Sequence, residues 1–204
     1  MKNSHRKFIV FVSLVGLLTL TSAILLALAP APLMPDAASS LFAIDAPSSL
    51  DVIFNTKVQS PPNRWKYIYV RHSRTASGNA LTLGQTNGSA GLGDHFVIGN
   101  GDGAIDGEIQ IGQRWNNQQS ATPPAGANKI DPACVSICLV GDFDRTVPTQ
   151  TQLRRLTQLV GTLQGKYGIK ADFVVLQTDV SSSPAGIGRY FPSTAFRQQL
   201  LQLP

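Results

Sequence analysis

Residues 149–167 place Leu153, Leu156, Leu159, Val160 and Leu163 on one helical face, and they lie between two short runs, 135–140 and 173–176, rich in β-branched and aromatic residues. Pro148 precedes this stretch, Thr149 and Gln152 have the spacing of a capping box, and Gly165 and Gly168 punctuate its end. Strand, helix and strand within about 40 residues predict a parallel strand pair joined by a right-handed crossover. Three further runs, 65–70, 95–98 and 108–111, have strand character, and a short helix is expected over 194–203. The expected fold is therefore α/β: a single domain with a central mixed β-sheet flanked by helices.

That domain should occupy 63–204, about 140 residues, enough for one compact core and too few for two ordinary domains. Residues 30–62 are rich in Pro, Ala and Ser and read as a linker, in which two apolar patches, 41–44 and 52–54, are placed to dock on the domain. Residues 8–29 carry no charge and as a helix would be about 33 Å long, enough to cross a bilayer. Ala27-Leu28-Ala29 has the small-x-small shape of a cleavage site, but Pro30 follows at once, which favours an uncleaved signal-anchor with the basic segment 1–7 in the cytoplasm. A single-pass cell-membrane protein with its C-terminal domain extracytoplasmic is expected.

Lys2, Arg6 and Lys7 lie before the apolar run, so of the 17 basic residues only 14 face 12 acidic ones in the remainder. A balance so near neutral gives no support to nucleic-acid binding. Cys134 and Cys138 are the only cysteines. If both lie on one strand their α-carbons are about 13 Å apart, beyond disulfide reach, unless Cys134 belongs to a bent loop.

The segment 91–103 reads G-L-G-D-H-F-V-I-G-N-G-D-G, and it is followed by D-G-E-I-Q-I-G-Q-R-W at 106–115 and I-C-L-V-G-D-F at 137–143. These motifs resemble the type 2 N-acetylmuramoyl-L-alanine amidase and peptidoglycan-recognition family, whose bacterial members show G-x-G-Y-H-F-V-I-G-N-G. Pro148-Thr149, Gln152-Leu153 and Tyr167-Gly168-Ile169 fit its crossover helix, and His72-Ser73, Thr75 and Gly78-Asn79-Ala80 fit its H-S-x-T-x-x-G-N-A segment, so the resemblance covers nearly all of 63–192. It implies a zinc hydrolase that cuts the amide between N-acetylmuramic acid and L-alanine, or a relative that binds peptidoglycan without cutting it.

A catalytic zinc takes about three side-chain ligands with lone pairs and keeps an open position for water. By the resemblance the first ligand position holds Arg71, whose guanidinium has no lone pair to give. The second holds Gln177, and the third falls near Gly186, ahead of Gly188-Arg189-Tyr190-Phe191-Pro192. The tyrosine that the family places before its H-F-V-I strand corresponds to Asp94, and the histidine of its G-A-H segment has no counterpart in 120–124. No intact catalytic residue, no metal and no other cofactor is therefore expected.

The candidate groove residues are His72, Ser73, Asp94, His95 and Asp179. A relocated metal site built from His72 and His95 with Asp94 or Asp179 stands against a plainer reading, in which His95 is hydrogen-bonded within the sheet and His72 lies at a strand edge near the surface. Arg71 either pairs with Asp94 or Asp179, or takes a carboxylate of a peptide stem. Gly99, Gly101 and Gly103 read as a turn rather than a phosphate loop, Asp102, Asp106 and Glu108 as a solvated loop rather than a calcium site, and Ser73 lacks a base with a supporting acid. Three functions remain open: a zinc-less pseudoenzyme that binds peptidoglycan fragments or an envelope partner, an active amidase, and an envelope scaffold without muropeptide binding.

Overall fold

The structure, a computed structural model, describes residues 11–17, 19, 21, 39–41, 47–86, 88, 91–122, 131–180 and 186–202. The chain divides into two units, Met1–Pro35 and Asp36–Pro204. In the first, residues 11–17, 19 and 21 are helical, and the rest of the apolar run 8–29 lies outside the described residues. Among the described residues no helix is long and apolar enough to cross a membrane.

In the second unit six strands, β1 (Ser39–Leu41), β2 (Tyr67–His72), β3 (Phe96–Ile98), β4 (Ile109–Ile111), β5 (Cys134–Leu139) and β6 (Val174–Leu176), form one sheet in the order β1-β4-β3-β5-β2-β6. β5 pairs in parallel with β2 and β3, and β2 in parallel with β6, while β4 runs antiparallel to β3 and β1. The sheet is therefore mixed, as the sequence implies. Every residue of β5 is buried, which explains why its C-V-S-I-C-L run is apolar nearly throughout. Cys134 and Cys138 both lie on this strand, buried and free. Burial pushes each thiol up to about 12, opposed in Cys138 by Arg71.

Helices follow at α1 (Ala80–Thr86), α2 (Gln113–Asn116), α3 (Gln150–Tyr167), α4 (Gln177–Val180) and α5 (Ser193–Leu200), with 3-10 helices at Pro47–Phe54 and Ala171–Phe173. α3 begins with the expected capping box: Gln152 N–H donates to Thr149 Oγ1 at 2.9 Å, and Thr149 N–H donates to Gln152 Oε1 at 3.1 Å. Gly168, in the left-handed conformation at φ 67°, closes it by donating to Gln164 O. Leu156, Leu159, Val160 and Leu163 are fully buried against one face of the sheet, where Ile68, Val70, Phe96, Ile98, Val135, Ile137 and Leu139 point. Each such side chain contributes about 1.5–3 kcal/mol. Alternation sends Tyr69, Arg71, Val97, Ser136 and Cys138 to the opposite face, where Ala80 and Leu83 of α1 cover Val97 and Cys138.

Two expectations need correction. The strands joined by α3 are parallel but not paired, because β2 lies between β5 and β6 and hydrogen-bonds to both. The crossover thus passes over a strand drawn from earlier in the chain, whose own two edges both need partners. The segment 30–62 is not a linker throughout: β1 extends the sheet, and the Pro47–Phe54 helix buries Leu50 and Ile53 in the main core. Trp115 Nε1 donates to Ile53 O at 2.6 Å and Val58 N–H to Asn116 O at 3.1 Å, so this segment is fastened by backbone as well as by apolar burial.

Candidate functional site

β2 ends at Arg71 and His72, beside the last residues of β5 and β6. Arg71 reaches across β5 to Asp94, which stands two residues before β3. Its Nε donates to Asp94 Oδ1 at 2.9 Å and its Nη2 to Oδ2, a two-pronged ion pair in which the arginine side chain is 12% exposed and the aspartate 2%. Ser136 Oγ, from the strand between them, donates to the same Asp94 Oδ1. Burial works against the guanidinium's charge, but the Asp94 carboxylate more than offsets it, and the pKa of Arg71 stands above its ordinary value. Arg71 thus takes Asp94, one of the two partners offered by the sequence; the side chain of the other, Asp179, lies outside the described residues. Ser136 was missed, and its signal was a hydroxyl in an otherwise apolar strand.

β6 runs straight into α4, so Gln177 arrives at the end of β2, where its Oε1 accepts from His72 N–H at 3.4 Å. The third position is crowded: a Cβ on Gly186 would lie 2.5 Å from Thr178 Oγ1, the atom that also accepts from Ile187 N–H at 3.1 Å. Asp179 lies on α4; its side chain, and residues 181–185, fall outside what is described. Among the described residues no group of three or more His, Cys, Asp or Glu is placed to hold a metal ion.

The two histidines do not converge as a ligand pair. His95 is fully buried; its Nδ1 accepts from Ser136 N–H at 2.9 Å, its Nε2 lies 2.8 Å from Gln119 O, and its ring packs edge-on to Trp65 and Trp115. Burial lowers its pKa to about 4. The expectation of a sheet-bound histidine holds for His95, whereas His72 is corrected: it is 1% exposed, not superficial, because Phe143 stacks on its ring and donates its N–H to Nδ1 at 3.0 Å. Burial, then Arg74, lowers its pKa. Ser73 is a structural brace, its Oγ accepting from Gly141 N–H at 3.0 Å and bonding Thr75 Oγ1 at 2.8 Å. Tyr69, two residues before Arg71 on the same face, is buried, and its pKa rises to about 12 for that reason.

The glycines at 99, 101 and 103 make the connection from β3 to β4, with Gly101 N–H donating to Ala104 O and Gly107 N–H to Gly99 O. Nearby, Asp106 Oδ1 accepts from Thr149 Oγ1 at 2.6 Å and Glu108 Oε2 from Ile105 N–H at 3.1 Å, so these carboxylates serve the turn and the start of α3. Glu108 is buried, which corrects its reading as part of a solvated loop. A cleft of about 380 Å³ beside α1, lined by Ala80, Leu81, Gly84, Leu92, Gly112 and Arg114 among others, includes neither Arg71, Asp94 nor Gln177.

A family model described as N-acetylmuramoyl-L-alanine amidase matches residues 61–185. Among solved structures, the chain is similar to the endolysin N-acetylmuramoyl-L-alanine amidase LysCS from Clostridium intestinale URNW, at 22% identity over 70% of this chain and 89% of that one, with a TM-score of 0.52. It is similar also to the N-acetylmuramoyl-L-alanine amidase LysC from Clostridium intestinale URNW, at 21% identity over 70% and 91% of the respective chains, with a TM-score of 0.54. At these identities the likeness is one of fold. Comparison with curated proteins yields no match.

Proposed function

Because the chain belongs to the N-acetylmuramoyl-L-alanine amidase family, we propose that it is a zinc-less member that holds peptidoglycan fragments in the family's groove instead of cleaving them. The observation that carries this reading is the Arg71–Asp94 pair with its Ser136 support, which fills the place where the resemblance puts the first ligand and the family tyrosine. The residues present do not fit a zinc ion. A guanidinium offers no lone pair, a carboxamide such as that of Gln177 is a poor zinc ligand, and at Gly186 even a Cβ would meet Thr178. Asp94 does have donor oxygens, but they are engaged by Arg71 and Ser136. Function follows from such a site rather than from the fold.

In this reading the apolar run 8–29 tethers the domain to the cell membrane on its outer side, where peptidoglycan lies. The test uses the full chain in detergent, dialysed against zinc and analysed for metal, then incubated with cell-wall sacculi and titrated with muropeptides. We expect no stoichiometric zinc, no released stem peptide and saturable muropeptide binding. One zinc per chain with peptide release would overturn the proposal in favour of an active amidase; no zinc and no binding would leave an envelope scaffold.

A further inference from the structure

We infer that Arg71 and Gln177 form an anchor of hydrogen-bond donors that takes an oxygen acceptor, a carbonyl or carboxylate of the bound fragment, where the family relies on a metal. The inference rests on the proposed groove binding and names the atoms that do it. Both side chains clasp the same residue at the end of β2: Arg71 Nη1 donates to His72 O at 3.1 Å, and Gln177 Oε1 accepts from His72 N–H at 3.4 Å. The two are thereby held at one strand end.

Each keeps hydrogen-bond donors free. A guanidinium has five N–H groups. Arg71 uses Nε–H and one hydrogen of Nη2 on Asp94 and one hydrogen of Nη1 on His72 O. One N–H on each Nη is left without an acceptor among the described residues. The Gln177 carboxamide nitrogen likewise has no hydrogen-bond partner among them, its oxygen being the atom engaged by His72. On the acceptor side, Asp94 Oδ1 already takes two donors and Oδ2 a third.

This strand end therefore presents N–H groups, while both Asp94 oxygens are already engaged. It is also close to neutral, since the carboxylate cancels the guanidinium, so the contact is a hydrogen bond more than a charge pair. Buried or half-buried donors are normally satisfied by protein, water or ligand. The 12% exposure of the Arg71 side chain leaves an opening for the last of these. A muramyl peptide carries the required acceptor either as the lactyl amide carbonyl or as a carboxylate, and the two are separable by choice of probe.

The full chain in detergent is titrated by calorimetry with N-acetylmuramoyl-L-alanine amide, which has no carboxylate, and with N-acetylmuramic acid, which has one. The double variant Arg71→Gln/Asp94→Asn keeps a neutral hydrogen-bonded pair but removes the fork, and we expect it to bind tenfold or more weakly than the unaltered chain. A loss with the amide, which offers only carbonyl oxygens at this position, identifies the carbonyl as an acceptor, and a loss confined to the acid identifies the carboxylate. Gln177→Leu leaves the ion pair untouched and is expected to weaken binding in the same direction, which keeps the test decisive if the double variant does not fold. Unchanged affinity in the variants, with binding by the unaltered chain, would overturn the anchor alone. No binding of either probe by the unaltered chain would remove the groove reading and the anchor with it.

Discussion

Arg71 and Asp94 show how one buried pair sets the chemistry of its surroundings. Removing one partner strands the other charge at a site where Asp94 is 2% exposed. Arg71→Met should therefore lower stability by about 3–5 kcal/mol, whereas Arg71→Met/Asp94→Leu should recover most of that loss. A double-mutant cycle measured by urea unfolding checks the sign of the coupling. His95 gives a pH dependence. Its folded pKa of about 4 lies below the 6.5 of an unperturbed histidine, so the unfolded chain binds its proton first as the solution is acidified. The stability it supplies is complete above pH 6.5, falls as the pH drops from 6.5 towards 4, and levels off below that. His72 is displaced in the same direction by burial and adds to the slope. Urea midpoints at pH 7.5 and 4.5 should differ accordingly, and His95→Gln should remove part of the difference; an unaltered slope would show that the ring is not buried neutral.

At the scale of the elements, α3 is the part most tightly specified by local sequence. Its cap, its apolar face and its stop signal agree, and Thr149→Ala should cost about 1 kcal/mol by urea titration through loss of the side-chain acceptor. That agreement is why α3 was legible from spacing alone. The five strands read from the sequence also occur, with ends displaced by one or two residues. β1 and the Pro47–Phe54 helix were not legible as elements, because their apolar residues are few and set among Pro and Ser, and because what fixes them is distant: Ile111 for Ser39, and Trp115 for Ile53. Strand order escaped for a related reason. Nothing in the local spacing of β2 says that it enters between two later strands. At the site, the motifs located Arg71, Asp94 and Gln177, but pairing is a property of register. Ser136 became part of the site only once β5 was placed beside β2 with Tyr69 opposite Ser136.

For the molecule as a whole, the extent of the folded unit matters more than the span of the recognisable motifs. A fragment of residues 63–204 loses β1 together with the buried Leu50 and Ile53, while a fragment from residue 36 keeps them. At about 1.5–3 kcal/mol for each apolar side chain, the shorter fragment should be less stable by about 3–6 kcal/mol. Urea unfolding of the two fragments side by side measures it, and equal midpoints would show that the segment only decorates the surface. The Arg71–Asp94 pair carries a consequence on a longer timescale. Any mutational path from this site to one with histidine at 71 and tyrosine at 94 passes through a chain holding half of the pair, at a cost of about 3–5 kcal/mol set against the 5–15 or so that hold a typical domain together. A side chain at 186 additionally requires the Thr178 side chain to shift. Each single step away from the pair descends into a valley of stability before the second can relieve it, so the pair works as a ratchet: positions 71 and 94 are free to drift only together.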